Sequence, residues 1–251
     1  MSDLSVYEKK VIINSRDVDG AGHCKASALL GYLQDASAEH TMLCGCGRKE
    51  MVERYHVFWM LTRIQVQLER PIRWLDELTI KTCHRSARGI LLYRDYELSV
   101  NGQFTGAACA LWVLPDLQTR KLLNVTQTPI VELNEIAGGL SPRIRKLTAL
   151  HAPENLTLIE ERLMRYSDTD VNAHVNNTKY ADFACDALDF AHRPENTFVS
   201  ELEITYHEEC QPGERIQIST AHIAPGWYVH GEGRDHISRF DVRLQMGTEA
   251  K

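Results

Sequence analysis

Residues Arg165–Tyr180 read RYSDTDVNAHVNNTKY. Asp168, Asp170, Asn172 and His174 stand on alternate residues, so an extended or looping segment aims their side chains the same way. Asn176, Asn177 and Thr178 then supply capping chemistry. Tyr180, Phe183, Ala184, Ala187, Leu188 and Ala191 follow at helical spacing, which predicts a buried helix fed directly by a polar loop. A helix start presents free N–H groups and partial positive charge. A carboxylate, an amide and an imidazole beside it are the parts from which acyl-transfer sites are built. A rich capping loop with no chemistry would use many of the same residue types, so the loop alone leaves both readings open.

The same stretch occurs twice. Ser15–His23 reads SRDVDGAGH, and Asp17, Asp19 and His23 match Asp168, Asp170 and His174 at a constant offset, because 168−17, 170−19 and 174−23 all give 151. The register continues from Asp35-Ala36 to Asp186-Ala187. The first copy leads into a predicted helix over about residues 26–44. Each copy is then followed by alternating strands: Ile64–Leu68 and Leu78–Thr82 in the first, Leu202–Tyr206 and Ile216–Ser219 in the second. Ile90–Val100 and Phe104–Leu114, joined by Asn101-Gly102, close the first half; Trp227–Gly233 and Phe240–Met246 close the second. Strand, loop, helix and a run of antiparallel strands, stated twice, predict a duplicated α+β protein. We divide it at residues 1–135 and 136–251, with a linker over about 115–155.

The copies are unequal. Ala21 stands where the second half has Asn172, and Lys25-Ala26 where it has Asn176-Asn177. Aligning Ile64 with Leu202 puts Pro71 opposite Glu209. The first half keeps two Asp and a His but lacks the carboxamide and the further acid. One reactive site, in the second half, accounts for that loss.

Bulk properties narrow the class. The 251 residues are 43% hydrophobic with a net charge of −6, enough apolar material for a core and the wrong sign for a general nucleic-acid binder. No apolar run approaches the roughly 20 residues of a membrane helix, and no N-terminal stretch resembles a signal peptide. Seven scattered Cys without framework spacing suggest reduced thiols and a cytoplasmic setting. No H-x-x-x-H or paired-Cys spacing near the loop points to a metal.

The repeat, the D-x-D-x-N-x-H-V-N-N-x-K-Y loop, Glu209-Cys210, Trp59–Arg63 and Arg94-Asp95-Tyr96 together resemble the acyl-acyl carrier protein (acyl-ACP) thioesterases of plants and bacteria. The resemblance runs from about residue 7 to 245. It implies a tandem double hotdog, in which each repeat is a sheet wrapped around a long helix, with the chemistry in the second repeat and the acyl-chain pocket shaped by the first. It also implies that Asp170, Asn172, His174 and Glu209 are catalytic. Glu209 would activate water or attack directly, Asn172 and helix-start N–H groups would hold the thioester oxygen, His174 would serve the leaving thiolate, and Asp170 would orient the others. Asp168 falls outside that set, because its counterpart Asp17 survives in the other half.

A thioester is already activated, so neither a metal nor an organic cofactor is required. The implied partner is an acidic acyl carrier protein bearing a 4'-phosphopantetheine-linked chain. Arg143, Arg145 and Lys146 are a candidate basic landing surface, with Arg162 and Arg165 as another. Asn176 and Asn177 are candidate substrate contacts, and Trp59 and Met60 candidate pocket wall. Assembly as a homodimer stays open. Competing readings are an acyl-CoA thioesterase, a hotdog hydratase or dehydratase, and a non-catalytic acyl-binding module. Cys210 offers a rival thiol nucleophile, but adjacent residues on an extended strand end face opposite sides, so Glu209 and Cys210 cannot readily both reach His174.

Overall fold

The Asn101-Gly102 turn sets the hairpin of the first repeat. Its φ angles of 52° and 77° are the paired left-handed conformations that a tight two-residue β-hairpin requires. It joins β4 (Leu92–Val100) to β5 (Gln103–Val113). The structure is a computed structural model, and it describes residues 4–85, 87–127, 130, 136, 139–140, 144 and 146–249.

The first repeat contains β1 (Tyr7–Ile12), α1 (Ala26–Leu43), α2 (Arg48–Tyr55), β2 (Met60–Leu68) and β3 (Glu77–His84), followed by β4 and β5. The second contains β6 (Thr157–Leu163), α3 (Lys179–Ala187), β7 (Thr197–Tyr206), β8 (Arg215–Ile223), β9 (Gly226–Gly233) and β10 (Ser238–Thr248). Within the first repeat the strands lie in the order β1-β3-β4-β5-β2; within the second the order is β6-β8-β9-β10-β7. Position for position these are one topology, so the duplication read from the loop extends to the whole sheet plan. The β1–β3, β3–β4 and β4–β5 pairs of the first repeat are antiparallel, as are β6–β8, β8–β9, β9–β10 and β10–β7 of the second.

Two compact units divide the chain, one formed by Met1–Ile12, Gly31–Gln65 and Asp76–Leu147, the other by Ile13–Leu30, Val66–Leu75 and Thr148–Lys251. In the first, β4 is buried on both faces. Its inward face carries Leu92, Arg94, Tyr96 and Leu98, all 1% exposed or less. The Tyr96 hydroxyl is 2.5 Å from Ser37 Oγ on α1. Arg94 donates to His40 Nδ1 at 3.0 Å and to Thr82 Oγ1 at 3.1 Å, and also contacts His84 Nε2. Burial, reinforced by the neighbouring guanidinium, keeps both imidazoles below their usual basicity. On the opposite face Asp95 is held by Arg85.

In the second unit, the apolar face predicted for α3 is the one that packs. The Tyr180 ring lies 4.6 Å from that of Phe240 on β10 and 5.8 Å from that of Tyr206 on β7. Phe183 lies 4.6 Å beneath the Arg162 guanidinium of β6, a partly desolvated cation–π contact.

Three elements differ from the sequence expectation. The helical pattern runs on to Ala191, but α3 stops at Ala187. Asp189 adopts a left-handed φ of 55° and a 3-10 turn, Phe190–His192, follows. Helix α2 was not expected; its residues RKEMVERY bury only Met51, so they show no apolar stripe. Strand β6 was not named either, because its exposure lacks a buried alternation.

Candidate active site

The Asp168–His174 loop is built by backbone hydrogen bonds. The Arg165 N–H donates to the Asp168 carboxylate at 2.8 Å, so Asp168 caps the 3-10 turn Tyr166–Asp168. Asp170 N–H donates to His174 O at 3.0 Å, and the Asp170 carboxylate accepts from Asn172 N–H at 2.8 Å. This is an Asx turn, and Ala173 closes it with a φ of 61°. Asn176 N–H returns to Asp168 O at 2.8 Å.

The first repeat folds its counterpart the same way. Asp19 N–H donates to His23 O at 2.9 Å, and the Asp19 carboxylate accepts from Ala21 N–H and His23 N–H, both at 2.9 Å. Asp170 thus performs a turn-forming task that survives in the copy without the reactive set.

One further pair of bonds fixes how the halves align. Cys24 N–H donates to Ile72 O at 2.7 Å, and Val175 N–H donates to Cys210 O at 3.0 Å. Cys24 and Val175 differ by 151; Ile72 and Cys210 differ by 138, the offset that sets Pro71 opposite Glu209. The strand alignment made from sequence is therefore the one that the backbone uses.

Glu209 and His174 meet. Oε2 of Glu209 lies 3.0 Å from Nδ1 of His174, with the side chains 59% and 32% exposed. The contact is an ion pair whenever the imidazole is protonated. The Glu209 side chain is largely open to solvent. Asn172 is exposed on the loop tip, in reach of anything that approaches from outside. His23 behaves differently: it is 3% exposed, and its Nδ1 lies 3.3 Å from the Thr197 carbonyl. The same residue type is a half-exposed partner of an acid in one repeat and a buried strut in the other.

Cys210 turns inward. It is fully buried, and burial pushes its thiol up to about 11, with the Tyr180 hydroxyl hydrogen-bonded against it. It does not share the side of the chain on which Glu209 reaches His174.

The remaining predicted contacts are placed as follows. The Asn176 carboxamide oxygen accepts from Thr178 N–H at 2.9 Å and its carbonyl accepts from Lys179 N–H at 2.9 Å, while Ala181 N–H goes to Thr178 O. Those helix-start donors are therefore already used. The Asn177 Oδ1 is buried without a hydrogen-bond partner. Trp59 packs against the core cluster of Cys46, Met51 and Leu92, donates its indole N–H to Cys46 O at 3.0 Å and stacks on His84 at 5.8 Å. Met60 opens β2. Lys146 is exposed; Arg143 and Arg145 lie outside the described residues. Arg162 is already engaged with Glu160 and Asp186. Among the described residues, no group of three or more His, Cys, Asp and Glu is arranged to hold a metal ion.

An apolar void of about 20 Å³ lies in the second unit, lined by Cys24, Ala26, Leu29, Val66, Leu68, Val199 and Leu202. It has room for roughly one water-sized group and is too small for a fatty chain as it stands.

Comparison with known proteins follows this geometry. The family described as "Acyl-ACP thioesterase N-terminal domain" matches residues 4–133. Its companion, "Acyl-ACP thioesterase C-terminal domain", matches residues 153–251. The chain belongs to the acyl-ACP thioesterase family. Within it, the chain is 24% identical over 263 residues to a chloroplastic acyl-[acyl-carrier-protein] hydrolase of Cuphea viscosissima, an alignment covering 99% of this chain and 62% of the relative. It is also 24% identical over 234 residues to the chloroplastic oleoyl-acyl carrier protein thioesterase 1 of Arabidopsis thaliana, covering 85% of this chain and 63% of that protein. The chain thus spans about six-tenths of the length of these curated relatives.

Solved structures share the fold. The acyl-ACP thioesterase of Bacteroides thetaiotaomicron superposes with a TM-score of 0.86 at 18% identity, covering 98% of this chain and all of that one. The 12:0-ACP thioesterase of Umbellularia californica gives 0.82 at 19% identity, covering 99% of both chains. The fold of this acyl-ACP thioesterase family member is the tandem double hotdog. No helix among its described residues is long and apolar enough to cross a membrane.

Proposed function

We propose that the protein hydrolyses the thioester of a fatty acyl chain carried on acyl carrier protein, releasing the free acid and the carrier's thiol. The observation that carries this reading is the 3.0 Å contact between His174 and Glu209, in the one repeat where Glu209 is not replaced by proline. The names of the curated relatives support the carrier-bound substrate.

In this reading the Glu209 carboxylate takes a proton from water as the water oxygen attacks the thioester carbon. His174 holds the carboxylate through Nδ1–H. The tetrahedral oxyanion is met by the Asn172 carboxamide, since the N–H groups of Thr178, Lys179 and Ala181 already have partners. When the C–S bond breaks, the proton taken from water passes to the departing thiolate. Asp170 orients Asn172 through the Asx turn. Asn176 shapes the start of α3, and the unpartnered Asn177 Oδ1 suits an amide N–H of the pantetheine arm.

The second repeat, about residues 136–251, carries the chemistry. The first, about residues 1–135, shapes the space for the chain, with Trp59 and Met60 on its wall. The acidic carrier is steered by the basic residues Arg143, Arg145 and Lys146. No disulfide joins any of the seven cysteines, which suits a reducing compartment such as the cytoplasm. The reactive set comes from one chain, so homodimer formation is a separate property that sedimentation decides.

The test is thiol release from C8–C18 acyl-carrier substrates by wild type, Glu209→Ala and Asn172→Ala. Each variant is expected to lose about a hundredfold in kcat. Near-wild-type turnover in both sinks the assignment. Faster hydrolysis of matched acyl-CoA than of acyl carrier protein would replace the carrier.

A further inference from the structure

Glu209 sits on the link from β7 to β8, residues 207–214, a segment with no regular structure of its own. A catalytic carboxylate on such a segment needs something that fixes its main chain. Arg239, on β10, does this at both ends. Its carbonyl accepts from His207 N–H at 2.9 Å and from Glu208 N–H at 3.4 Å. Its guanidinium, only 8% exposed, reaches Glu208 at 3.7 Å and Glu214 at 2.6 Å. Those two carboxylates flank Glu209 in sequence. Asp235 at 2.8 Å and the Ile237 carbonyl at 3.1 Å complete its fork.

The clamp is passed on through Glu214. Its other carboxylate oxygen accepts from Gln211 N–H at 3.0 Å, and its carbonyl accepts from Met164 N–H at 2.8 Å, just before the reactive loop. One buried guanidinium thus ties the Glu214 side of the Glu209 segment to β10 through a charge-assisted bond and the Glu208 side through a looser ion pair, without touching Glu209 itself.

We propose that Arg239 is a positioning residue for Glu209. The inference rests on the assignment of Glu209 given above. Misplacement of a catalytic group by about 1 Å can cost on the order of a hundredfold in rate. Loss of the clamp therefore appears in kcat and leaves substrate binding nearly intact.

The experiment measures kcat and KM for Arg239→Met and Glu214→Gln, each alone and combined with Glu209→Gln, with thermal midpoints recorded for all. Arg239→Met is expected to lower kcat ten- to a hundredfold with KM changed less than threefold. Glu214→Gln should act in the same direction by a smaller factor. In the Glu209→Gln background neither should lower kcat further by more than twofold, because the group they place is gone. Arg239→Lys, which keeps the charge but not the fork, should recover only part of the loss. Wild-type kcat in Arg239→Met, or an equal fall in both backgrounds, overturns the proposal. Should Arg239→Met fail to fold, Glu214→Gln decides by the same criteria. If Glu209→Gln itself turns over like wild type, the site assignment has failed and this inference fails with it. An inactive Glu209→Gln beside unaffected clamp variants overturns the clamp alone.

Discussion

Ile72 and Cys210 occupy one and the same place in the two repeats. Each offers its carbonyl to the loop residue after the repeat-matched histidine, at 2.7 Å to Cys24 and 3.0 Å to Val175. The residue just before each is therefore the true point of comparison: Pro71 in one copy, Glu209 in the other. A proline has neither a carboxylate nor an N–H to offer there. The molecule contains its own control.

Equivalent histidines should fail in different ways. His23→Ala removes a buried ring and its bond to the Thr197 carbonyl, and is expected to cost about 1–3 kcal/mol of stability while kcat of the folded enzyme stays within twofold. His174→Ala should lower kcat about a hundredfold or more with little change in the thermal midpoint. Denaturant titration beside steady-state kinetics checks both. A catalytic loss in His23→Ala that outlasts correction for the folded fraction would show that the first loop takes part in the reaction.

Cys210→Ala should retain turnover within about twofold. Its thiol is buried and pushed up to about 11, so near neutral pH almost none is thiolate. The expected cost is in packing, about 1 kcal/mol. Activity and urea midpoints measured side by side separate the two effects, and a hundredfold drop in turnover would restore the thiol mechanism.

A buried histidine–carboxylate cluster on β9 and β10 carries a pH-dependent contribution to stability. Burial alone would raise the Asp241 carboxyl, but hydrogen bonds from His207 and His230, each 2.7 Å, hold it well below the usual carboxylate range. The bond to Asp241 raises His230 in turn, against its burial. A raised imidazole contributes fully below its unfolded value of about 6.5 and loses that contribution as pH climbs through the folded value. The depressed carboxyl does the reverse and weakens only in acid. Wild type should therefore melt about 2–4 °C above His230→Gln at pH 6, and the gap should narrow by pH 9. Melting curves at pH 6, 7, 8 and 9 test this, and a gap that widens with pH contradicts it.

The repeat was legible in the sequence because turn chemistry is local: Asp19 and Asp170 each accept from the N–H two residues on, so the motif survives wherever the turn does. The strand offset was legible because buried strands alternate. The opposite facing of Glu209 and Cys210 was anticipated from a two-residue period, although both lie beyond the end of β7 at Tyr206. Elements that face water on most sides were not legible. Strand β6 exposes Leu158 and Ile159 and has no inward face to betray it, and α2 is polar nearly all round. The end of α3 was missed because Asp189 breaks the helix by its backbone conformation, which the apolar spacing of Leu188 and Ala191 does not record. The pairing of Glu209 with His174 needed the fold, since 35 residues of chain separate them. The Arg239 clamp gave no signal at all, because its partners are split between residues 207–214 and 235–237.

Ile13–Leu30 and Val66–Leu75, though they precede the junction between the copies, are counted with the later unit. Scission of the polypeptide just after Leu147 would leave the first unit whole but strip the second of two of its three segments. Expressed separately, the two pieces are expected not to form the second unit, and co-expression to restore it.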